Sequence, residues 1–128
     1  RIITYPDTVI GSDGLFSPDS AHPRRYGAFA GIIREYVRNR KLMTLEAAIH
    51  KMTCKTARIF GLTGRGLLKT GYLADIAVFS TVGFSDASNF LRPNRLAHGM
   101  RHVFVSGGQV LDGGRLTDKL PGKVLPVS

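Results

Sequence analysis

Thr8-Val9-Ile10-Gly11-Ser12-Asp13-Gly14-Leu15 is the stretch on which the fold turns, together with His22-Pro23-Arg24-Arg25, which begins nine residues after the aspartate. Thr8, Val9 and Ile10 favour extended backbone, and the run stops at a glycine, a serine, an acid and a second glycine. Such a break predicts a strand over residues 8–13 that delivers its last side chains into a loop. An acid carried there is held by a rigid element yet reaches open space, which suits a proton-transfer group. Gly11 and Gly14 leave room on both sides of Asp13 and tolerate backbone angles that other residues resist. The plainer alternative is a turn aspartate that hydrogen-bonds its own backbone, and the octapeptide read alone favours that alternative.

Downstream, residues 16–25 are polar and punctuated by Pro18 and Pro23, so no long regular element is expected. A helix is predicted over residues 26–41. Phe29, Ile32, Ile33, Tyr36 and Val37 share one face, and Arg38, Arg40 and Lys41 suit the negative pole of its dipole. Thr44 has the chemistry of an N-cap for a second helix, with Leu45, Ala48, Ile49 and Met52 as its buried stripe. Residues 53–55 should interrupt this helix before a further turn over residues 56–60, closed by Gly61. His50 reads as an exposed helix residue and Cys54 as a small buried filler.

From Gly61 the pattern changes to glycine punctuation and strands. Residues 75–79 and 102–106 are apolar runs. Gly107-Gly108 reads as a two-residue turn into Gln109-Val110-Leu111, and Gly113-Gly114 as a turn before Arg115 and Leu116. Residues 119–128, with Pro121 and Pro126, read as an extended edge or tail.

Composition bounds the class. With 128 residues, 43% hydrophobic and 21% charged, the chain fits a soluble globular domain able to bury a core. No run of roughly eighteen apolar residues is present to cross a membrane. The start RIITYPDTVI lacks the apolar stretch of a signal peptide and an initiator Met, as if cut from something longer. One cysteine excludes an internal disulfide and fits a reducing, cytoplasmic setting. Cys54 with four scattered histidines (His22, His50, His98, His102) makes no structural zinc site. The net charge of +9 lies wholly in residues 24–69, where eleven Arg and Lys face only Glu35 and Glu46. Those charges interleave with apolar helix positions and lack aromatic stacking partners, so solvated helix faces are expected ahead of a nucleic-acid surface.

The order of these pieces is itself informative. GSDG at 11–14 and HPR at 22–24 precede the amphipathic helix. LEAAIHKMT follows at 45–53, GLTGRGLLKTGYLADIAVF at 61–79 and HVFVSGGQVLDGGRL at 102–116. Over residues 8–125 this resembles the C-terminal third of the N-acyl-D-amino-acid deacylases (D-aminoacylases), in the metal-dependent amidohydrolase superfamily. The segment at 64–79 resembles a superfamily-wide return of the chain into a small β-domain, shared with hydantoinase-like and dihydroorotase-like enzymes. GSDG with HPR points to the narrower branch. The sequence departs at residues 53–57, where Gly and Pro are expected between the Thr and the Ala.

The resemblance implies an α/β fold: the last strand and helices of a (β/α)8 barrel in residues 1–61, then strands of a small β-sandwich in residues 62–128. Asp13 would end the last barrel strand, where barrel enzymes carry their chemistry. The implied reaction is hydrolysis of an N-acyl-D-amino acid by zinc-bound water. Asp13 would be the catalytic proton carrier, and Arg24 would clamp the substrate α-carboxylate. Ser12 and Gly14 would shape the pocket wall and His22 would support the loop, although a plain surface histidine is equally open; Arg25 is expected to be a surface residue. The zinc ligands would precede this segment, so the missing N-terminal part of the barrel is the implied partner and the chain alone should be inactive. Nucleic acid and membrane are not implied partners. Two other readings are a D-hydantoinase or dihydroorotase relative and a non-catalytic basic binding module.

Overall fold

A computed structural model describes residues 2–15 and 22–125. Residues 16–21 of the proline-punctuated segment and 126–128 of the expected tail lie outside the described residues, as does Arg1. Ile2–Thr4 forms one 3-10 turn, and residues 8–13 are not a strand in this chain. A strand exists by ladder hydrogen bonds to a neighbour, and the sheet of the described residues draws its four strands from residues 76–116.

Helix α1, Arg24–Ile32, starts two residues before the predicted position. Pro23 is already helical at the cap, and its carbonyl accepts from the Tyr26 and Gly27 N–H groups at 3.1 and 3.0 Å. The helix then widens into a π segment, Ile33–Asn39, with Arg40 N donating to Glu35 O at 2.9 Å. Apolar spacing of three and four cannot distinguish α from π winding, which is why a uniform helix was expected. Lys41 ends it in the left-handed region at φ 51, and Leu42 N donates back to Tyr36 O at 2.8 Å. The fully buried face is Gly27, Ala30 and Ile33, whereas Phe29, expected in the stripe, is 43% exposed.

Helix α2, Leu45–Met52, begins as expected: Thr44 Oγ1 accepts from Ala47 N at 3.2 Å. Ala48 is buried, and Leu45, Ile49 and Met52 pack against Ala30, Ile33 and Phe84. The interruption is shorter than expected. Thr53 alone breaks the helix (φ −127, ψ −95), and α3 runs Cys54–Ile59. Gly61, at φ 64, closes α3 while Leu62 N reaches Ala57 O at 2.8 Å and Gly61 N reaches Arg58 O at 3.2 Å. This is the paired carbonyl capping that a left-handed glycine permits. Cys54 is buried and His50 exposed, both as expected.

The sheet is antiparallel in the order β1 (Ile76–Phe79), β2 (Met100–Val105), β3 (Gly108–Asp112), β4 (Arg115–Leu116). Val105 pairs with Gly108, so the turn is Ser106-Gly107, one residue earlier than predicted. Both turn residues have positive φ, 49 and 81, which the right-handed strand twist favours in a two-residue hairpin. Gly108 instead belongs to the strand, where a Cβ would meet Pro121 Cγ at 2.9 Å. The Gly113-Gly114 turn, between Asp112 and Arg115, is where the sequence placed it. Phe79 and Phe84 meet at 4.8 Å between ring centres, joining the sheet edge to the helical core.

Candidate functional site

The loop ahead of α1 brings together the residues singled out in the sequence. Asp13 adopts a left-handed backbone at φ 46, which asparagine and aspartate tolerate better than most residues. Ser12 Oγ accepts from Gly14 N at 3.4 Å. A Cβ on Gly14 would meet Arg25 Cα at 3.2 Å, so glycine lets the loop lie against the first turn of α1. That approach sets Asp13 Oδ2 3.0 Å from Arg24 Nη2. The Asp13 side chain is 75% exposed and reaches open space, as expected. Arg24 Nε is buried with no hydrogen-bond partner among the described residues. An exposed ion pair of this kind contributes about 0–1 kcal/mol, so an incoming carboxylate can compete for the guanidinium.

His22 sits on the same entry. Its Nδ1 accepts from Arg24 N at 3.1 Å, and its ring meets Phe90 edge-on at 5.1 Å. Arg25 lies 5.2 Å from the Tyr26 ring, on the first turn of α1.

Other residues that hold this region escaped the sequence reading. Lys51 is 7% exposed, and its ammonium donates to Tyr5 O at 2.6 Å and to Thr8 O and Thr8 Oγ1, each at 3.0 Å. Burial pushes its pKa down and Lys55 adds to the shift, while Asp7 opposes it. Lys55 Nζ donates to Pro6 O. These two side chains grip the segment that leads to Asp13. The signal was available: Lys51 lies one turn beyond Ala48, beside the apolar stripe, where a solvated cation is out of place.

Much of the basic block is engaged within the fold, which amends the expectation of solvated helix faces. Arg34 holds Asp86 through Nε at 2.6 Å and Nη2 at 3.3 Å. Arg38 Nη1 donates to Phe84 O at 2.6 Å, and Arg65 pairs with Asp75. Arg40 Nε donates to Glu35 Oε1 at 2.6 Å; this bond, with help from Asn39 and the Arg40 and Arg34 charges, holds the Glu35 carboxyl below its usual pKa. Among the described residues no three His, Cys, Asp or Glu side chains gather where a metal ion could sit.

Residues 2–111 match the amidohydrolase family. The chain belongs to that family. This amidohydrolase chain is 44% identical over 125 residues to N-acyl-D-aspartate deacylase of Alcaligenes xylosoxydans xylosoxydans, covering 98% of this chain and 25% of that protein. A crystal structure of D-aminoacylase matches with TM-score 0.89 and 39% identity, over 93% of this chain and 25% of that one. A second matching structure is N-acyl-D-glutamate deacylase of Bordetella bronchiseptica, complexed with zinc and a phosphonate that mimics the tetrahedral intermediate. Its TM-score is 0.81 at 40% identity, over 86% of this chain and 23% of that one. The chain thus spans about a quarter of the length of the relatives it matches. Among the described residues no helix is long and apolar enough to cross a membrane.

Proposed function

We propose that this chain is the C-terminal part of a metal-dependent N-acyl-D-amino-acid deacylase. Residues 8–13 form its final barrel strand once neighbouring strands are present. Residues 1–61 complete the barrel and 62–128 supply strands of the small β-sandwich. The zinc is held by residues outside this chain, in the N-terminal part of the barrel, and supplies Lewis acidity at the scissile carbonyl. A cytoplasmic setting fits the single free cysteine.

The observation that carries this reading is the exposed Asp13 carboxylate beside Arg24 at the mouth of the α1 turn. Asp13 accepts a proton from the attacking water and delivers it to the departing amine nitrogen, leaving a carboxylate and a free D-amino acid. Arg24 turns from Asp13 to the substrate α-carboxylate, and Nε gains there the partner it lacks among the described residues. Ser12 and Gly14 shape the pocket wall, and His22 holds the main chain at Arg24. Internal pairing of Arg34, Arg38 and Arg40 leaves the choice of D-amino-acid side chain to groups elsewhere.

Assay of the complete enzyme on N-acyl-D-amino acids, their L-enantiomers and cyclic amides tests the class. Turnover confined to the D-acyl substrates is expected, and preference for a hydantoin or dihydroorotate would contradict it. Arg24→Ala should raise KM for α-carboxylate substrates about 10- to 100-fold, the loss of one charge-assisted contact; an unchanged KM would reject the clamp.

A further inference from the structure

Residues 84–90 leave the sheet edge and cross the start of α1, and their contacts are out of proportion to an ordinary surface loop. Arg38 Nη1 donates to Phe84 O at 2.6 Å, and Arg34 grips the Asp86 carboxylate with two nitrogens. Ser88, only 9% exposed, donates its hydroxyl to Pro23 O at 2.9 Å. Phe90 sets its ring against His22. The crossing requires bare backbone below it, since a Cβ at Gly27 would lie 2.5 Å from Ser88 Oγ and 2.8 Å from Asp86 Cβ. The excursion is closed at its base by mutual hydrogen bonds between Ser85 and His98, at 3.1 and 2.8 Å.

We infer that residues 84–90 form a strap that fixes the direction of Arg24, with Ser88 as a positioning residue for carboxylate recognition. The inference rests on the clamp role of Arg24 proposed above. Pro23 is the residue immediately before Arg24, and its carbonyl receives the first α1 hydrogen bonds as well as the Ser88 hydroxyl. Moving Pro23 rotates the Cα–Cβ bond of Arg24, so the guanidinium at the end of a long side chain shifts by more than its root. Recognition of a planar carboxylate by a two-pronged donor is sensitive to such a shift. The strap thereby links the β-rich half of the chain to substrate selection at the α1 entry.

The test uses the complete enzyme bearing Ser88→Ala, Gly27→Ala or Arg24→Ala, assayed on an N-acyl-D-amino acid and on its carboxamide, which lacks the α-carboxylate. Ser88→Ala and Gly27→Ala should each raise KM for the acid about fivefold or more, with kcat within about twofold, so the preference over the carboxamide falls. Gly27→Ala drives a Cβ into Ser88 and Asp86 and so displaces the strap by steric contact, while the intrinsic helix propensity of α1 is not reduced. A purely structural strap would lower Tm and leave the preference intact, and that result overturns the inference. If Arg24→Ala removes the preference while neither strap variant moves it, the strap is rejected and the clamp stands. If Arg24→Ala also leaves it unchanged, the clamp itself is wrong and the strap falls with it.

Discussion

At the scale of single residues, the Asp13–Arg24 pair and the Lys51 ammonium differ in what water does to them. The first pair is wet and exchangeable, which is what the proposed admission of a substrate carboxylate needs. Lys51 is dry and its three donors are all matched by oxygens. Replacing it by Met removes the Lys51 bonds to Thr8 O and Thr8 Oγ1, while Tyr5 O keeps its bonds from Thr8 N and Thr8 Oγ1, and should lower unfolding free energy by about 1–2 kcal/mol in denaturant titrations. Because the folded state binds this proton less tightly than the unfolded chain, the wild type should gain stability as pH rises towards the usual lysine value. The Lys51→Met protein should lack that gain, measured as Tm against pH. The open space around Asp13 was legible from its glycine neighbours, but the left-handed backbone falls on Asp13 itself and on neither Gly11 nor Gly14, because an aspartate tolerates that region. Lys51 left only a weaker mark, its place beside the Ala48 stripe, which the usual solvent-facing role of a helical lysine masks.

Among elements, helix starts and stops were legible wherever a side chain or a left-handed residue fixes them. Thr44 and Gly61 are such residues. The π segment was not, because it preserves the same apolar face while changing the winding. Its Glu35 carboxyl, gripped by Arg40, Asn39 and Arg34, is held below its usual pKa. Its stabilising effect is complete above the usual carboxylate range and fades as pH falls through the depressed value. Glu35→Gln should remove that acid-side slope from a Tm-against-pH series. Gly66 is a second constraint at this scale. It has φ 81, and a Cβ would lie 2.9 Å from Cys54 Cα, where the loop beds on α3. Gly66→Ala should cost about 2–3 kcal/mol from backbone strain and overpacking together, read by thermal unfolding. The hairpin turn lies at Ser106-Gly107, one residue before the Gly107-Gly108 position that glycine preference predicts, because Ser106 adopts the positive φ of the first turn position.

For the whole molecule, strand propensity at residues 8–10 has no ladder to join among the described residues, and large apolar side chains such as Phe29, Ile59, Phe60 and Leu68 face solvent. Those two facts agree with a chain spanning a quarter of its relatives, and neither could be weighed from propensity alone. The 128-residue chain expressed by itself should bind a hydrophobic dye and show no zinc-dependent deacylation; turnover by it alone would mean that a metal site exists within these residues. The most direct test is the turnover and zinc content of the complete enzyme carrying Asp13→Asn, compared with wild type. A fall in kcat of about 100-fold or more, with zinc largely retained, is expected for loss of the proton carrier. A kcat within a few-fold of wild type would contradict that role for Asp13.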